Sequence, residues 1–386
     1  MFHNFYNNFP TIHDFLPLGN TGFEKAVLQL KEFKCRTRIV CGSGAVGVLR
    51  ELGAKRILLV TDPYFEKNGT ASRIGALSGA ARVDIFSKIQ PDPSVSLAAE
   101  GTARVNAGKP DVIVALGGGS AMDCAKAMAY FGGGVPLVAI PTTSGSGSEV
   151  TDFAILTHDG VKHPLVDGAL QPVLAILDDD LLQELPPSII ADTGFDVLSH
   201  ALEAAVAKNA TPITDALAKE AFSVAFRELP LSFGGRKDVR LSVHTAATMA
   251  GMAFTQAGLG LCHAMAHALG GMFHLPHGRL NAILLPAVIS HNGATEKYAA
   301  MARAAGFGSS ADTAAVRELK NALIRLRKEL ELPATLTQAG IPAGQVRQKM
   351  DAICRAAVAD PCCATNPVEV DGALVRSVLE TVMGRG

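Results

Sequence analysis

The chain has 386 residues, 48% of them hydrophobic and 18% charged, a length that exceeds one ordinary domain and predicts two domains sharing a cleft. Thirty-five Lys and Arg nearly balance 36 Asp and Glu, which leaves no electrostatic footprint for nucleic acid or an anionic membrane surface. No apolar run approaches the roughly 20 residues of a membrane span, and seven scattered cysteines, never in CxxC spacing, read as the reduced thiols of a cytoplasmic protein.

Residues 1–35 read as an N-terminal extension, of which residues 1–20 are rich in Phe and Asn and poor in charge. Asn20 and Thr21 are suited to cap a short helix through Phe33, with Phe23, Val27 and Leu30 on one stripe. Such a segment packs on its own or a neighbouring subunit, or docks a partner.

From Thr37 the pattern becomes strand, glycine turn, helix, repeated. TRIVCG leads into GAVGVLREL, RILLV (56–60) runs through Thr61, Asp62 and Pro63 into a helix, and DVIVAL (111–116) leads into GGGSAMDCAKAMAYF. VPLVAI then reaches PTTSGSGSEVT, and VLAIL (173–177) follows. Short β-branched runs alternating with helices predict a parallel sheet buried on both faces, which binds ligands beyond its strand C-termini. The strand signals fade after residue 177, and Pro186 and Pro187 open a region of Ala, Leu, His and Met at helical spacing. The expected architecture is an α/β domain over 36–185 with a Rossmann-like parallel sheet, followed by an all-α domain over 186–386.

Gly117, Gly118, Gly119 and Ser120 sit where a strand becomes a helix, a place where backbone N–H groups and the helix dipole favour a pyrophosphate. The GxGxxG spacing is absent, so taken alone the loop is as compatible with a tight turn as with a phosphate site. Asp62, ending a neighbouring strand, is placed to accept from both ribose hydroxyls of an adenosine, which favours NAD over NADP. It precedes the glycine loop, the reverse of the usual fingerprint. Thr142 to Thr151 supplies small hydroxyl donors for the rest of a cofactor, and Asp123 either braces the glycine loop or offsets a helix dipole.

Farther on, DTGFDVLSHALEAAV puts Asp196 and His200 one helical turn apart in an apolar run. AFTQAGLGLCHAMAHALGGMFHLPHGR (253–279) holds four of the eleven histidines, His263, His267, His274 and His277. His263 and His267 share one helix face, Gly270 and Gly271 supply a stop, and His277 follows in a loop opened by Pro276. One carboxylate and three imidazoles suit a borderline divalent metal. Each pair alone reads more readily as hydrogen-bonded core, with Thr193 and Asp196 as a capping box; two pairs plus His277 reverse the balance in favour of the metal.

GGGSAMDCAK, AIPTTSGSGSEVT, DTGFDVLSHALEA, and AGLGLCHAMAH followed by FHLPHG, in that order between about Arg38 and about Pro367, resemble the iron-dependent (group III) alcohol dehydrogenases. Within the family the chain is most similar to members from bacterial propanediol-utilisation pathways. The resemblance implies the architecture shared with dehydroquinate synthase, with the active site between an NAD-binding domain and a helical one. It assigns Asp196, His200, His263 and His277 to the metal, Fe(II) or Zn(II). Gly118, Gly119 and Ser120 would hold the pyrophosphate, Asp62 the adenosine ribose, and Thr142, Thr143 and Lys162 the rest of NAD(H). It implies reversible hydride transfer between NAD(H) and a short primary alcohol or aldehyde, such as propanol or ethanol and their aldehydes, with the metal as Lewis acid. It also implies a homo-oligomer, and an N-terminal extension able to direct the enzyme into a bacterial microcompartment among its shell or cargo proteins.

His267 is the candidate for relaying the hydroxyl proton, and Phe254, Leu259 and Cys262 either crowd a small substrate or pack the core. The chain departs from the family at Arg279, where an apolar residue is common, at Val368 after TNP, and in its first 35 residues. The rival readings are a metal-water hydrolase, a lyase of the dehydroquinate synthase type, a glycerol or diol dehydrogenase, and a non-catalytic scaffold.

Overall fold

Within Arg56–Thr61, alternate residues face opposite ways: Leu58 and Val60 pack into one buried layer, Ile57 and Leu59 into another. That period of two is what a strand covered on both faces requires. The structure, a computed structural model, describes residues 31–293 and 295–384. It contains strands β1 (Arg38–Cys41), β2 (Arg56–Thr61), β3 (Arg82–Phe86), β4 (Val112–Gly117), β5 (Leu137–Pro141), β6 (Phe153–His158), β7 (Val161–Val166) and β8 (Leu174–Leu177). Six of them form one sheet in the order β1-β8-β5-β4-β2-β3, every pairing parallel.

The connecting helices are α1 (Pro63–Lys67), α2 (Thr70–Leu77), α3 (Val95–Gly108) and α4 (Gly119–Phe131). Ala71 and Ile74 of α2 cover one face of the sheet, and Ala98 and Val105 of α3 with Met122 and Met128 of α4 cover the other. Neighbours β2 and β4 send their chains in opposite directions, β2 to β3 and β4 to β5. Their C-terminal ends therefore border the crevice where a sheet of this kind takes ligands.

Three strands were absent from the sequence reading. β3 is a half-exposed edge strand carrying Arg82 and Asp84. β6 and β7 form an antiparallel hairpin whose turn residues Asp159 and Gly160 have φ of 48° and 74°. The Asp-Gly pair is a strong hairpin signal, weakened in this sequence by Pro164 inside the second strand.

The remainder is helical: α5 (Pro187–Val206), α6 (Pro212–Phe233), α7 (Arg240–Ala257), α8 (Leu261–Phe273), α9 (His277–Asn292), α10 (Glu296–Ala304), α11 (Asp312–Glu329), α12 (Ala343–Ala359) and α13 (Gly372–Val382). α5 is buried almost all round from Ile190 to Val206, as expected of a helix that is apolar on every side. The ionisable groups inside it, among them Asp196, His200 and Glu203, are therefore buried too and must find partners.

Three local expectations are corrected. Thr193 and Asp196 lie well inside α5 and form no capping box; the Thr193 hydroxyl donates to the Ile189 carbonyl at 2.8 Å. Gly270 and Gly271 do not stop α8, which continues to Phe273 and ends on His274 in the left-handed region at φ 56°. A Cβ on Gly271 would lie 3.1 Å from the Gly160 carbonyl, so the glycine pair admits the tip of the β6–β7 hairpin against the helix. His277 is not in a loop but opens α9, with Pro276 as N-cap. The helix expected from Asn20 lies outside the described residues except at Lys31–Phe33, which are not helical. Among the described residues no helix is long and apolar enough to cross a membrane.

Candidate active site

α5 carries Asp196 and His200 on one face, α8 brings His263, and the first residue of α9 is His277. The Nε2 atoms of His277, His263 and His200 stand 3.6, 3.7 and 4.0 Å from Asp196 Oδ1. Those separations are too long for hydrogen bonds, yet close to the roughly 3.4 Å between neighbouring N and O donors on a tetrahedral cation bound at about 2.1 Å. All four donor atoms lie within 4.8 Å of one another, and the donor set suits a divalent transition metal. Asn281, one turn into α9, aims its amide at the cluster: Nδ2 donates to Asp196 Oδ1 at 2.7 Å and lies 3.2 and 3.3 Å from His277 and His263 Nε2.

The cluster is held by partners that sequence reasoning missed. Glu203, one turn beyond His200, is 1% exposed, and its carboxylate accepts from the backbone N–H groups of Gly260, Cys262 and His263 at 3.0, 2.7 and 3.3 Å. It thereby satisfies the free N-terminus of α8. The same carboxylate meets His263 Nδ1 at 2.6 Å, which turns Nε2 toward Asp196 as outer-shell carboxylates do for ligating histidines. Burial alone would lower the His263 pKa, but the Asp196 and Glu203 carboxylates outweigh it and raise it to about 9. His200 is pushed down to about 3 by burial, its ring stacked between those of His263 and Phe254.

His267 sits at the edge of the cluster, its ring stacked on His277 at 5.1 Å. Its Nδ1 is bound to Asp360 Oδ2 at 2.9 Å, a partner 93 residues away. Burial opposes ionisation of Asp360, but the hydrogen bond from His267 prevails and holds its pKa down at about 2. Arg279 is spent on Asp192 of α5 through a bidentate pair at 3.0 and 2.9 Å, so it clamps α9 to α5.

At the sheet edge, Gly118 is the N-cap of α4, and Gly118, Gly119 and Ser120 are half-exposed. A Cβ on Gly118 or Gly119 would lie 3.2 Å from the Thr143 or Ser146 side chain, so the 142–151 loop lies directly against the glycine turn. Asp62 caps α1 through Oδ1, which accepts from Tyr64 and Phe65 N–H at 2.9 and 3.2 Å. Oδ2 takes no part in that cap and lies 3.8 Å from where a Gly117 Cβ would be.

Asp123 gives one oxygen to the Ser148 hydroxyl at 2.8 Å and the other to Ile155 N–H at 3.1 Å, a brace on the loop. Lys126, fully buried beneath it, donates to Thr151 Oγ1 and the Phe153 carbonyl at 2.7 Å each, and burial lowers its pKa to about 8. Thr142 is buried, with its N–H on the Gly117 carbonyl at 2.9 Å.

The loop also touches α5, the helix of Asp196 and His200, since a Cβ on Gly145 would lie 2.7 Å from Thr193 Cβ. Lys162 is not a solvated surface charge: its side chain is 19% exposed, pairs with Asp92 at 2.7 Å and lies beside Gly270 of α8. Phe254 stacks on His200, and Leu259 is buried with its carbonyl accepting from Thr365 at 2.6 Å. Cys262 is fully buried and faces Asn281, so core packing accounts for it.

Two family models cover nearly all of this framework: iron-containing alcohol dehydrogenase over residues 36–179, and the C-terminal part of the Fe-containing alcohol dehydrogenase family over residues 190–383. The chain belongs to the iron-containing alcohol dehydrogenases. It is 40% identical over 370 residues to the 1-propanol dehydrogenase of Citrobacter freundii, covering 92% of this chain and 100% of the relative. The iron-containing alcohol dehydrogenase of Thermococcus thioreducens superposes with a TM-score of 0.84 at 33% identity, over 91% of this chain and 99% of that one. The sulfoacetaldehyde reductase of Bifidobacterium kashiwanohense, solved in complex with NAD+, superposes with a TM-score of 0.83 at 27% identity, over 92% of this chain and 100% of that one. In this alcohol dehydrogenase, then, the cluster on α5, α8 and α9 and the glycine turn at β4 belong to one framework, joined by the 142–151 loop.

Proposed function

We propose that this enzyme is an NAD(H)- and metal-dependent dehydrogenase that interconverts a short primary alcohol and its aldehyde, with 1-propanol and propionaldehyde as the first candidates. The observation that carries the reading is the set of three imidazole Nε2 atoms around one carboxylate oxygen, tied by a single loop to a glycine turn at a sheet edge. Asp196, His200, His263 and His277 would hold the cation, and Fe(II) and Zn(II) fit that donor set alike. A bound cation supplies Lewis-acid polarisation of the substrate oxygen.

The protein's own groups do the rest. The N–H groups at the start of α4 would hold the pyrophosphate of a bound cofactor. Asp62 Oδ2 would accept from the ribose of a bound cofactor, and Thr142, Thr143 and Lys162 would hold the rest of it. His267, with Nδ1 committed to Asp360, keeps Nε2 for the hydroxyl proton. A homo-oligomer, and residence beside microcompartment shell or cargo proteins, belong to the same reading.

Anaerobic purification, metal analysis and NADH oxidation over a panel of short aldehydes test the proposal. One cation per chain and turnover with propionaldehyde are expected. Tightly bound metal without net NADH consumption would replace the reading with that of a lyase.

Two substitutions probe individual roles. Asp62→Ser keeps an N-cap but removes the charge. The preference for NADH over NADPH is expected to shrink by about tenfold, the worth of one near-surface ionic repulsion, in KM measured for each cofactor. His267→Ala is expected to lower kcat by about 100-fold or more while metal content stays at the wild-type level. Loss of the metal would make His267 a ligand instead.

A further inference from the structure

Beside the four-donor cluster lies a second group of side chains able to ligate a metal, His267, Asp360 and Cys362, each half-buried; the dehydrogenase reading uses His267 as a relay held by Asp360 and gives Cys362 no role. One ligand atom from each lies within 4.8 Å of the others, and none of the three belongs to the first cluster. His267 comes from α8, whereas Asp360 and Cys362 come from the end of α12 and the tight turn Pro361–Thr365 that follows it. The turn fixes their spacing, because Cys362 N–H donates to Asp360 Oδ1 at 2.9 Å. That leaves Oδ2 hydrogen-bonded to His267 Nδ1 at 2.9 Å, shorter than the spacing of two adjacent ligands, so a cation would open this pair. In a tetrahedral site with N and O at about 2.1 Å and S at about 2.3 Å, donors stand roughly 3.4–3.6 Å apart, so closure needs side-chain shifts of about 1 Å.

We propose that His267, Asp360 and Cys362 form a second divalent-cation site, selective for thiophilic ions such as zinc or cadmium. The chemistry differs from that of the first cluster by the sulfur, which draws soft cations and leaves the harder ones to Asp196 and the three imidazoles. The site is reachable, with the His267 and Asp360 side chains 21% and 15% exposed. Binding balances simply: the cation displaces the Cys362 thiol proton to solvent, and Nδ1 of neutral His267 exchanges its proton for the cation, the proton passing to Nε2. Nε2 then lacks a lone pair for the substrate, so occupancy inhibits turnover. That consequence, unlike the binding, rests on the relay role given to His267 above.

Cadmium distinguishes the two sites, because a thiolate ligand gives an ultraviolet ligand-to-metal charge-transfer band that oxygen and imidazole donors do not. Enzyme already loaded at the first cluster is titrated with cadmium under anaerobic, thiol-free conditions. One additional cadmium per chain and the band are expected, lost in Cys362→Ser with the first metal retained, and preserved in Cys363→Ser. Asp360→Asn, which removes a ligand's charge, is expected to weaken the second site by at least about 100-fold. Asp196→Ala is expected to keep the band, since the sites share no donor. Absence of the band in the wild type, its survival in Cys362→Ser, or its loss in Asp196→Ala overturns the proposal. Inhibition that tracks the band supports both the site and the relay. Band without inhibition supports the site and removes the relay from the function proposed above.

Discussion

Asp196→Ala is expected to strip the enzyme of its metal and of its alcohol dehydrogenase activity together. Asp196 Oδ1 faces all three Nε2 atoms, at 3.6 to 4.0 Å, and among the described residues no other carboxylate completes that set of four. Without it, three imidazoles and the Asn281 amide remain, and the Glu203 carboxylate stands behind His263 and not among the donors. Outer-shell partners of a metal ligand cost about 10–100-fold in affinity, so losing the ligand itself is expected to cost at least about 100-fold. Metal analysis after dialysis, alongside NADH oxidation, reads both effects. Activity at wild-type level with no bound metal would sink the metal-dependent reading, whereas folded protein that still binds NADH shows that the loss is local.

Gly278→Ala should be nearly as damaging, by a different route. Gly278 follows His277 at the start of α9, and a Cβ there would lie 1.8 Å from the carbonyl oxygen of Asp192 and 3.2 Å from Asp196 Cβ. Both obstacles belong to α5, the carbonyl is backbone, and the Arg279–Asp192 pair clamps the same two helices. The methyl therefore forces apart the elements that carry Asp196, His200 and His277. Overpacking of this kind costs about 3 kcal/mol or more. A lowered unfolding midpoint in urea and reduced metal retention are expected together. Gly344→Ala in α12, where an added Cβ meets nothing within 4 Å, is the control, expected to leave stability equal or higher by up to about 1 kcal/mol. If both variants behave alike, the crowding argument fails.

What the sequence disclosed, and what it hid, follows from range. Asp196 and His200 are four residues apart on one helix, so their shared face was visible in the text of the chain; His263 and His267 were visible for the same reason. Glu203 stands in the same run as His200, but what marks it out is a bond to His263 Nδ1 across 60 residues, which no local pattern records. Asp360 acquires its meaning across 93 residues, and Asn281 through a fold that sets α9 beside α5 and α8. The parallel sheet was legible because its central strands are continuous β-branched runs, whereas β3 and the hairpin carry charges and a proline that blur the same signal. Gly270 and Gly271 were misread because a glycine pair marks a helix end in local terms, and only the approach of the hairpin explains them inside α8.

The sheet order has a consequence for how the chain reaches this state. β1 lies at one edge and pairs with a single strand, β8, so Arg38 waits for Leu174. At about 5–20 residues per second on a ribosome, that interval lasts about seven to thirty seconds, during which Ile39 and Val40 have no partner strand. Truncations that stop before Leu174 are thus predicted to leave the first strand adrift and liable to pair with the wrong chain, a hazard that chaperone binding to nascent fragments would register.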